Sequence, residues 1–324
     1  MIYSRETAVA LQAVRAASVA CTYIRKVLQH DDTLIKSDLS PVTVADYSSQ
    51  VIINSVLARE CTFDAVVSEE SSENFVGESN AGLLEKILEF TQPFIENVTI
   101  EKILKLLDHG KVAGELPKRY WTIDPIDGTK GYLRGGQYAI ALALIEQGEP
   151  KLGVLGCPNL AYSQANNTGL IMFAIKGEGT YATPMNDPHT HQKCCVDQVN
   201  ELSDLVICES YEKAHTSHDK SATIANQLGI KTKALQIDSQ CKYAEVARGN
   251  ASLYLRIPKN TEYTEKIWDH AAGMLLVEEA GGIVTDLSGQ KLDFNNTTTL
   301  CRNTGIVASS GHIHNKIISQ LKGV

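Results

Sequence analysis

Apolar residues recur at helical spacing in the first part of the chain. Residues 4 to 28, which are rich in alanine, and residues 44 to 59 both show this period, so the pattern predicts two helices that open the protein. Residues 63 to 70 predict a short buried strand that ends in two acids, and the polar residues 71 to 82 predict a loop. Residues 83 to 108 have helical spacing again and indicate an inserted helical arm.

Strand patterns follow this helical part of the chain. Residues 137 to 158 and 169 to 183 predict hairpin strands joined by glycine-containing turns, and therefore an antiparallel sheet. The polar residues 185 to 200 indicate a boundary, so we predict an α+β half over residues 1 to 192 and an α/β half over residues 193 to 324. In the second half the pattern predicts strands at 204–210, 231–238, 251–257 and 281–286, and helices at 217–228, 241–248 and 269–279.

Composition narrows the class of protein. With 324 residues and 43% hydrophobic content the chain can bury a large core, and its net charge of -8 argues against a partner that is a nucleic-acid polymer or a membrane surface. Residues 138 to 145 form one of the longest apolar runs, far short of the roughly 18 to 20 residues of a membrane span. The eight cysteines form no CxxC pair, and Arg5 and Glu6 interrupt the apolar centre that a signal peptide needs. We therefore expect reduced thiols and a cytoplasmic location.

Residues 121 to 129, WTIDPIDGT, carry the most chemical information. An apolar strand ends at Asp124, and a helix is predicted to begin near Thr129. Asp124 and Asp127 offer hard oxygen ligands, and Gly128 lets the backbone approach a ligand closely. This arrangement suits Mg²⁺ that holds a phosphate at a helix N-terminus, although an Asx-type turn that caps the helix is the alternative.

Acids also stand at the ends of three other predicted elements. Asp46 lies near the start of the second helix, Glu69 and Glu70 end the strand of residues 63 to 70, and Asp269 opens a helix of the second half. Taken singly, Asp269 is an ordinary helix N-cap and the two glutamates are a solvated strand end.

Four segments taken together resemble a known superfamily. They are DPIDGT, SPVTVAD, the strand that ends in Glu-Glu, and WDHAAGMLLVEEAGGIVTDLSG. In order and spacing they are similar to the Mg²⁺-dependent, lithium-sensitive phosphatases that include inositol monophosphatases and fructose-1,6-bisphosphatases. Residues 124 to 146 and 238 to 256 look most like the 3′(2′),5′-bisphosphate nucleotidases of fungi and plants. The resemblance implies a layered α-β-α-β-α sugar-phosphatase fold, with an antiparallel N-terminal sheet and a mixed C-terminal sheet.

The resemblance also implies a set of metal ligands and a water-activating pair. The ligands of Mg²⁺ would be Glu69, Asp124, Asp127, Asp269 and the carbonyl of Ile126, with Asp46 at a further, weaker metal position. Five carboxylates around one cleft would repel each other and a phosphate dianion, and divalent cations reverse that sign. Thr129 and Asp46 would orient and deprotonate the attacking water. The alternative for Thr129 is a hydroxyl that satisfies the backbone at a helix start.

Substrate contacts are implied by the same resemblance. The backbone N–H groups of Gly128 and Thr129 would hold the phosphate that is removed. Ser239, Lys242 and Arg256 would contact the 5′-phosphate and ribose, and His215 would lie near the nucleoside.

Other interpretations of the substrate-contact residues stay open. Lys242 is also consistent with a solvated residue on a helix. Arg256 is consistent with a surface cation at the end of a strand, and His215 with a helix cap or a loop residue. Apart from its one phosphate, an inositol monophosphate presents hydroxyl groups, which an acidic side chain would recognise at this position. The three residues after Tyr254 include Arg256 and no acid. The His-x-His pairs ending at His191 and His314 fit loop residues better than metal ligands.

The function that these features imply is a Mg²⁺-dependent phosphatase that removes the 3′-phosphate of adenosine 3′,5′-bisphosphate to give AMP and phosphate. The resemblance further implies action on 3′-phosphoadenylyl sulfate, a link to sulfate assimilation, and inhibition by Li⁺ and Na⁺. We also expect a monomer. One alternative is an inositol (poly)phosphate phosphatase of the same superfamily. Another is a non-catalytic nucleotide sensor, which should have lost a ligand or the water-orienting Thr129, whereas all of these residues are present.

Overall fold

Two large β-sheets and three layers of helices alternate through the part of the protein that the structure describes. The computed structural model describes residues 3–27, 33–35, 41–75, 80–109, 115–163, 169–211, 218–258, 264–295 and 297–321. Within these residues the layers follow the order α-β-α-β-α, so the predicted fold class is confirmed.

Helices supply the outer layers and the central one. The α-helices are α1 Ser4–Val27, α2 Val44–Glu60, α3 Ala81–Thr91, α4 Ile100–Asp108, α5 Thr129–Arg134, α6 His218–Gln227, α7 Cys241–Ala247, α8 Ala271–Glu279 and α9 Gly311–Leu321. Short 3₁₀ helices cover Ser72–Phe75, Leu202–Asp204 and Ile267–Asp269. The two predicted opening helices are confirmed. The predicted arm is two helices, because the chain turns between Thr91 and Ile100, where Pro93 cannot donate to a helical ladder.

Seven strands form the first sheet, and they lie side by side in the order in which they occur along the chain. They are β3 Ala65–Ser68, β4 Arg119–Asp127, β5 Ala139–Glu146, β6 Glu149–Cys157, β7 Leu170–Ile175, β8 Gly179–Pro184 and β9 Gln192–Cys194. All neighbours are antiparallel except β3 and β4, which run parallel. Ahead of this sheet, β1 Thr33–Ile35 and β2 Pro41–Thr43 form a separate antiparallel pair.

Five short strands form the second sheet, in the order β11-β10-β12-β14-β13. They are β10 Ile207–Glu209, β11 Leu235–Gln236, β12 Leu253–Arg256, β13 Gly282–Thr285 and β14 Ile306–Ser310. β10 runs parallel to β11 and β12, whereas β14 is antiparallel to β12 and β13, so this sheet is mixed as predicted.

Alternate residues of the first sheet enter two different cores. Trp121 faces α1 and α2, whereas its neighbour Tyr120 faces α7 and α8, which lie between the two sheets. A third core packs the outer face of the second sheet against α6 and α9. The inserted arm packs on α2, where Asn54 Nδ2 donates to the carbonyl of Leu106 at 2.7 Å. α2 is therefore covered on both sides, and almost all of its residues are buried.

Some elements differ from the sequence prediction. Strand β9 and the terminal pair β14 and α9 were missed, and the predicted strand over 231–238 is only Leu235–Gln236. His312 and His314 lie in α9, so their interpretation as loop residues was wrong. The division at residue 192 stays a prediction, and β9 spans it while pairing with β8.

One described helix is apolar enough to span a membrane by length and composition. It is α1, whose most apolar window is 56% buried inside the protein. Ala13, Ala17 and Cys21 of this helix are fully buried in the first core. Burial of this kind is typical of a core helix, and the test by composition is weak evidence for a span.

Candidate active site

A bulge in β4 brings two aspartates of the WTIDPIDGT segment together. In a regular strand, residues three apart point to opposite faces. The register of β4 against β5 shifts between Asp124 and Asp127, and this irregularity redirects the second carboxylate. The expectation that the strand ends at Asp124 was wrong, because β4 continues through Pro125 to Asp127 before α5 begins at Thr129.

Helix α2 holds the remaining N-terminal acids against this bulge. Asp46 lies in its first turn and is buried. Ser49 Oγ donates to the Pro125 carbonyl at 2.8 Å, which ties α2 to the bulge. Gln50 exchanges two hydrogen bonds with the backbone of Glu70, at 2.8 and 2.9 Å, and this fixes the end of β3 where the side chain of Glu69 is exposed.

Asp269 reaches the site from the second half of the chain. It ends the 3₁₀ helix Ile267–Asp269, whereas α8 begins at Ala271 with His270 as the preceding residue. The alternative that Asp269 is an ordinary N-cap is therefore wrong. We call Asp46, Glu69, Asp124, Asp127 and Asp269 the acidic cluster.

Burial and mutual repulsion govern the charges of this cluster. Burial raises the pKa of Asp124 well above its ordinary value, and the charges of Glu69, Asp127 and Asp269 raise it further. Burial likewise raises the pKa values of Asp127 and Asp269. Asp46 contributes in the same direction, so acids from four separate segments of the chain act on Asp124.

The donor set fits a hard divalent cation. Asp124 Oδ1 is buried and has no hydrogen-bond partner within the part of the chain that the structure describes. A buried carboxylate oxygen without a partner is costly unless a cation takes that place. Oxygen ligands without thiolate or imidazole are those that Mg²⁺ prefers.

The hydroxyl of Thr129 lies between two oxygens of this site. Its Oγ1 is 3.5 Å from Asp46 Oδ1 and 3.3 Å from the carbonyl of Ile126. The contact with Asp46 is longer than an ordinary hydroxyl–carboxylate bond, and catalytic hydrogen bonds often shorten only when substrate binds. The geometry brings the predicted pair together, and it also retains the backbone contact that was the alternative for Thr129.

A close approach of two turns joins the halves at the start of α5. Gly128 has a φ of 87°, and a Cβ added there would lie 2.9 Å from the Cβ of Ser239. Glycine is thus required both by conformation and by space. Ser239 has a φ of 66°, is buried, and accepts from the backbone N–H of Cys241 at 3.2 Å, so its hydroxyl supports the start of α7.

Lys242 is buried, which excludes the solvated-helix alternative. Its Nζ donates to Ser210 Oγ at 3.0 Å and lies 5.1 Å from the centre of the Tyr254 ring. Burial lowers the pKa of Lys242, and the charge of Asp127 opposes that change. Conversely, Lys242 and Arg256 are the two cations that hold down the pKa of Asp127.

Arg256 is also partly buried and is paired with an acid that the sequence pattern did not indicate. Its Nε donates to Glu265 Oε1 at 2.7 Å, so it is not a free surface cation. The three residues after Tyr254 contain no acid, as the sequence shows. An acid, Glu265, nevertheless contacts Arg256 from a position nine residues further along the chain. His215 lies outside the described residues.

Comparison with known proteins identifies the family. Residues 3–324 match the inositol monophosphatase family. The chain belongs to this family. It is 36% identical to the 3′(2′),5′-bisphosphate nucleotidase of Emericella nidulans over 352 residues, which cover 100% of this chain and 99% of that protein. It is 40% identical to the 3′(2′),5′-bisphosphate nucleotidase of Oryza sativa over 327 residues, covering 95% and 91% of the two chains.

A solved structure supports the same assignment of fold. The Thermotoga maritima IMPase superposes with a TM-score of 0.66 at 19% identity, covering 97% of this chain and 95% of that chain. The two relatives, one of them fungal, confirm the resemblance to bisphosphate nucleotidases and the expectation of an enzyme of the phosphatase class.

The sequence pattern of this inositol monophosphatase family member did not predict two residues that the structure places at the site. Gln240 lies between Ser239 and Lys242, and its backbone N–H donates a short hydrogen bond to Asp127 Oδ2. Glu265 lies in a stretch without periodicity. Gln240 could have been predicted as a site residue, because it stands between the predicted contacts Ser239 and Lys242. The local sequence pattern gave no indication of Glu265.

Proposed function

We propose that this protein removes the 3′-phosphate of adenosine 3′,5′-bisphosphate and releases AMP and phosphate. The observation that carries the proposal is the position of two largely buried cations, Lys242 and Arg256, near enough to the acidic cluster for their charges to lower the pKa of Asp127. An acidic cluster that holds a metal ion can bind the phosphate that is removed. The two cations beside it can bind a second phosphate on the same substrate.

Asp124, Asp127, Asp269, Glu69 and the carbonyl of Ile126 would hold Mg²⁺, with Asp46 at a weaker position. When bound, Mg²⁺ supplies positive charge that offsets the phosphate oxygens and acidifies water. Thr129 would accept from the attacking water and pass its proton towards Asp46, 3.5 Å away. The N–H groups of Gly128 and Thr129 would orient the phosphate at the start of α5.

The choice of a nucleotide over an inositol phosphate rests on charge. Lys242 and Arg256 favour a second phosphate, and Glu265 beside Arg256 is already paired, so it is poorly placed to accept from inositol hydroxyls. The names of the two relatives support the same choice. Action on 3′-phosphoadenylyl sulfate, inhibition by Li⁺ and Na⁺, and a place in sulfate assimilation belong to this proposal.

We also propose a cellular compartment and an oligomeric state for the enzyme. All eight cysteines are unpaired thiols, which supports a reducing compartment such as the cytoplasm. We further propose a monomer with halves over residues 1–192 and 193–324.

A phosphate-release panel tests the function. Purified protein would be assayed with adenosine 3′,5′-bisphosphate, 3′-AMP, inositol 1-phosphate and inositol 1,4-bisphosphate, each with Mg²⁺ and with EDTA. We expect the bisphosphate nucleotide to have the highest kcat/KM, and activity to vanish in EDTA and return with Mg²⁺. A preference for either inositol phosphate would favour the alternative phosphatase. No turnover of any substrate would favour a nucleotide sensor.

A further inference from the structure

A chain of four side chains runs behind the proposed 5′-phosphate contact. Arg256 Nε contacts Glu265 Oε1 at 2.7 Å, Glu265 Oε2 contacts His270 Nε2 at 3.2 Å, and His270 Nδ1 contacts the hydroxyl of Tyr243 at 2.8 Å. Glu265, His270 and Tyr243 are almost completely buried. We call these three residues the tether of Arg256.

Chemistry fixes the direction of the two bonds to Glu265. Arg256 and His270 hold the pKa of Glu265 at about 2 against the opposing effect of burial, so its carboxylate is ionised and accepts on both oxygens. His270 Nε2 must then donate to Glu265. The other ring nitrogen, Nδ1, lies 2.8 Å from the Tyr243 hydroxyl, and in the neutral ring it accepts from that hydroxyl. Both sides of the His270 ring are therefore held by hydrogen bonds.

A carboxylate next to a phosphate-binding cation is electrostatically unfavourable for the phosphate. Its presence therefore needs another reason. A guanidinium is planar and carries five N–H donors in a rigid fork, so a bond at Nε fixes the direction of the whole group. Glu265, anchored in turn by His270, is placed to do this.

We propose that Glu265 is a positioning residue that orients the Arg256 guanidinium towards the 5′-phosphate, and so sets the preference for bisphosphates over monophosphates. This inference rests on the proposed function. Glu265 acts through Arg256 and does not itself touch the substrate. His270 and Tyr243 hold the Glu265 carboxylate in register with β12.

A competing role for Glu265 is support of the metal site. Ligand atoms of Glu265, Asp269 and His270 all lie within 4.8 Å of one another. If Glu265 acted mainly on Asp269, its replacement would change turnover of every substrate and the Mg²⁺ requirement together. If it acts on Arg256, only substrates with a 5′-phosphate should respond.

The test is a double-mutant cycle with two substrates. Glu265→Gln keeps the shape of the side chain and removes its charge. We expect the ratio of kcat/KM for adenosine 3′,5′-bisphosphate to that for 3′-AMP to fall about threefold to thirtyfold, mostly through KM of the bisphosphate. In an Arg256→Ala background, the same substitution should leave the ratio unchanged. Tyr243→Phe, which removes only the far hydroxyl, should lower the ratio by a smaller factor.

Glu245→Gln is the matched control. Glu245 is also a buried glutamate paired with an arginine, Arg248, at 3.1 Å, and its other carboxylate oxygen accepts from Asn250 Nδ2 at 2.9 Å. Its replacement should leave the substrate ratio at the wild-type value.

Two results would overturn the positioning role. One is an unchanged ratio in Glu265→Gln, and the other is a further fall when Glu265→Gln is added to Arg256→Ala. Both require an enzyme that hydrolyses the two nucleotides, so they differ from a failure of the proposed function, in which wild-type protein would turn over neither nucleotide.

Discussion

The backbone N–H of Gln240, immediately before α7, donates to Oδ2 of Asp127 at the end of β4. The side chain of Gln240 extends this link, because Nε2 donates to the carbonyl of Trp268 at 2.9 Å and Oε1 accepts from the N–H of Gly273 at 3.3 Å. One residue thus joins the segment that carries Asp127 to both sides of Asp269. The relative position of Asp127, at the end of β4, and Asp269, at the end of a 3₁₀ helix, depends on it.

We predict that Gln240→Leu lowers kcat by about tenfold or more with a small effect on KM. The substitution keeps the backbone bond to Asp127 and removes both side-chain bonds, which should also lower stability by about 1 to 3 kcal/mol per unsatisfied buried group. Steady-state kinetics and urea unfolding measure the two effects. Gln236→Leu, at an exposed glutamine of β11, is the control and should match wild type. Wild-type kcat in Gln240→Leu would show that the link does not position the acids.

The repulsion inside the acidic cluster predicts a stability effect of Mg²⁺. Because burial raises the pKa of Asp124, the folded state binds its proton more tightly than the unfolded state, and metal-free stability falls as pH rises above the ordinary pKa of 3.8. The metal-free fold is therefore less stable at neutral pH than in acid because of this carboxyl group. Mg²⁺ at ten times its Kd should add about 1.4 kcal/mol.

Asp124→Asn tests that balance directly. The metal-free variant should be at least as stable as wild type at pH 7, while its Mg²⁺-induced rise in Tm should be lost and kcat should fall about 10² to 10³-fold. Thermal unfolding with EDTA or Mg²⁺ provides the measurement. Asp204→Asn, at an exposed acid, should retain the full Mg²⁺ effect. A normal Mg²⁺ shift in Asp124→Asn would exclude this carboxylate from the metal site.

Sequence pattern was sufficient where local chemistry determines structure. Acids such as Asp46 and Asp127 stand at element ends, and the periodicity of α1 and α2 is long enough to identify them. Hairpins β5 to β8 were predicted from their turn glycines. These features depend on residues close together in the chain.

Features that depend on distant residues were not predictable in this way. The burial of Lys242 follows from α7 lying between two sheets, so the helix has no polar face to reveal its setting. The pairing of Arg256 with Glu265 crosses a stretch without periodicity. Strand β14, IVASS, is short and half composed of small residues, which gives a weak strand signal until β12 and β13 flank it.

The proposed water-activating pair predicts a specific kinetic signature at Thr129. Thr129→Ala should lower kcat by about 10² to 10⁴-fold with little change in KM, because the hydroxyl acts on water and not on the bound substrate. Thr129→Ser keeps the hydroxyl and should recover much of the loss. If KM alone rises, Thr129 is a binding residue and its contact with Asp46 has no part in proton transfer.

Lithium should inhibit at millimolar concentrations if the acidic cluster holds Mg²⁺. A singly charged ion in a Mg²⁺ position leaves the developing negative charge poorly neutralised. Phosphate release would be followed with increasing LiCl, with KCl at equal ionic strength as the control. Equal rates in the two salts would separate this chain from the lithium-sensitive phosphatases.

His314 predicts how stability changes in mild acid. It is buried in α9, with Nε2 2.9 Å from Thr285 Oγ1 and Nδ1 2.8 Å from Ser309 Oγ, and it faces no carboxylate in these two contacts. Burial lowers the pKa of His314 from 6.5 to about 4. Between these values the unfolded state binds a proton that the folded state does not, so stability is complete above pH 6.5 and is lost as pH falls towards 4.

The resulting loss for wild type between pH 7.5 and pH 5.5 should be about 1.4 kcal/mol from this residue alone. Urea unfolding at the two pH values measures it. His314→Gln will lower stability at both pH values, since it disturbs the bonds to Thr285 and Ser309, but the difference between them should shrink by about that amount. His312→Gln, two residues earlier in α9 and exposed, should keep the wild-type difference. An unchanged pH dependence in His314→Gln would mean that His314 is protonated in the folded protein and that another group causes the acid sensitivity.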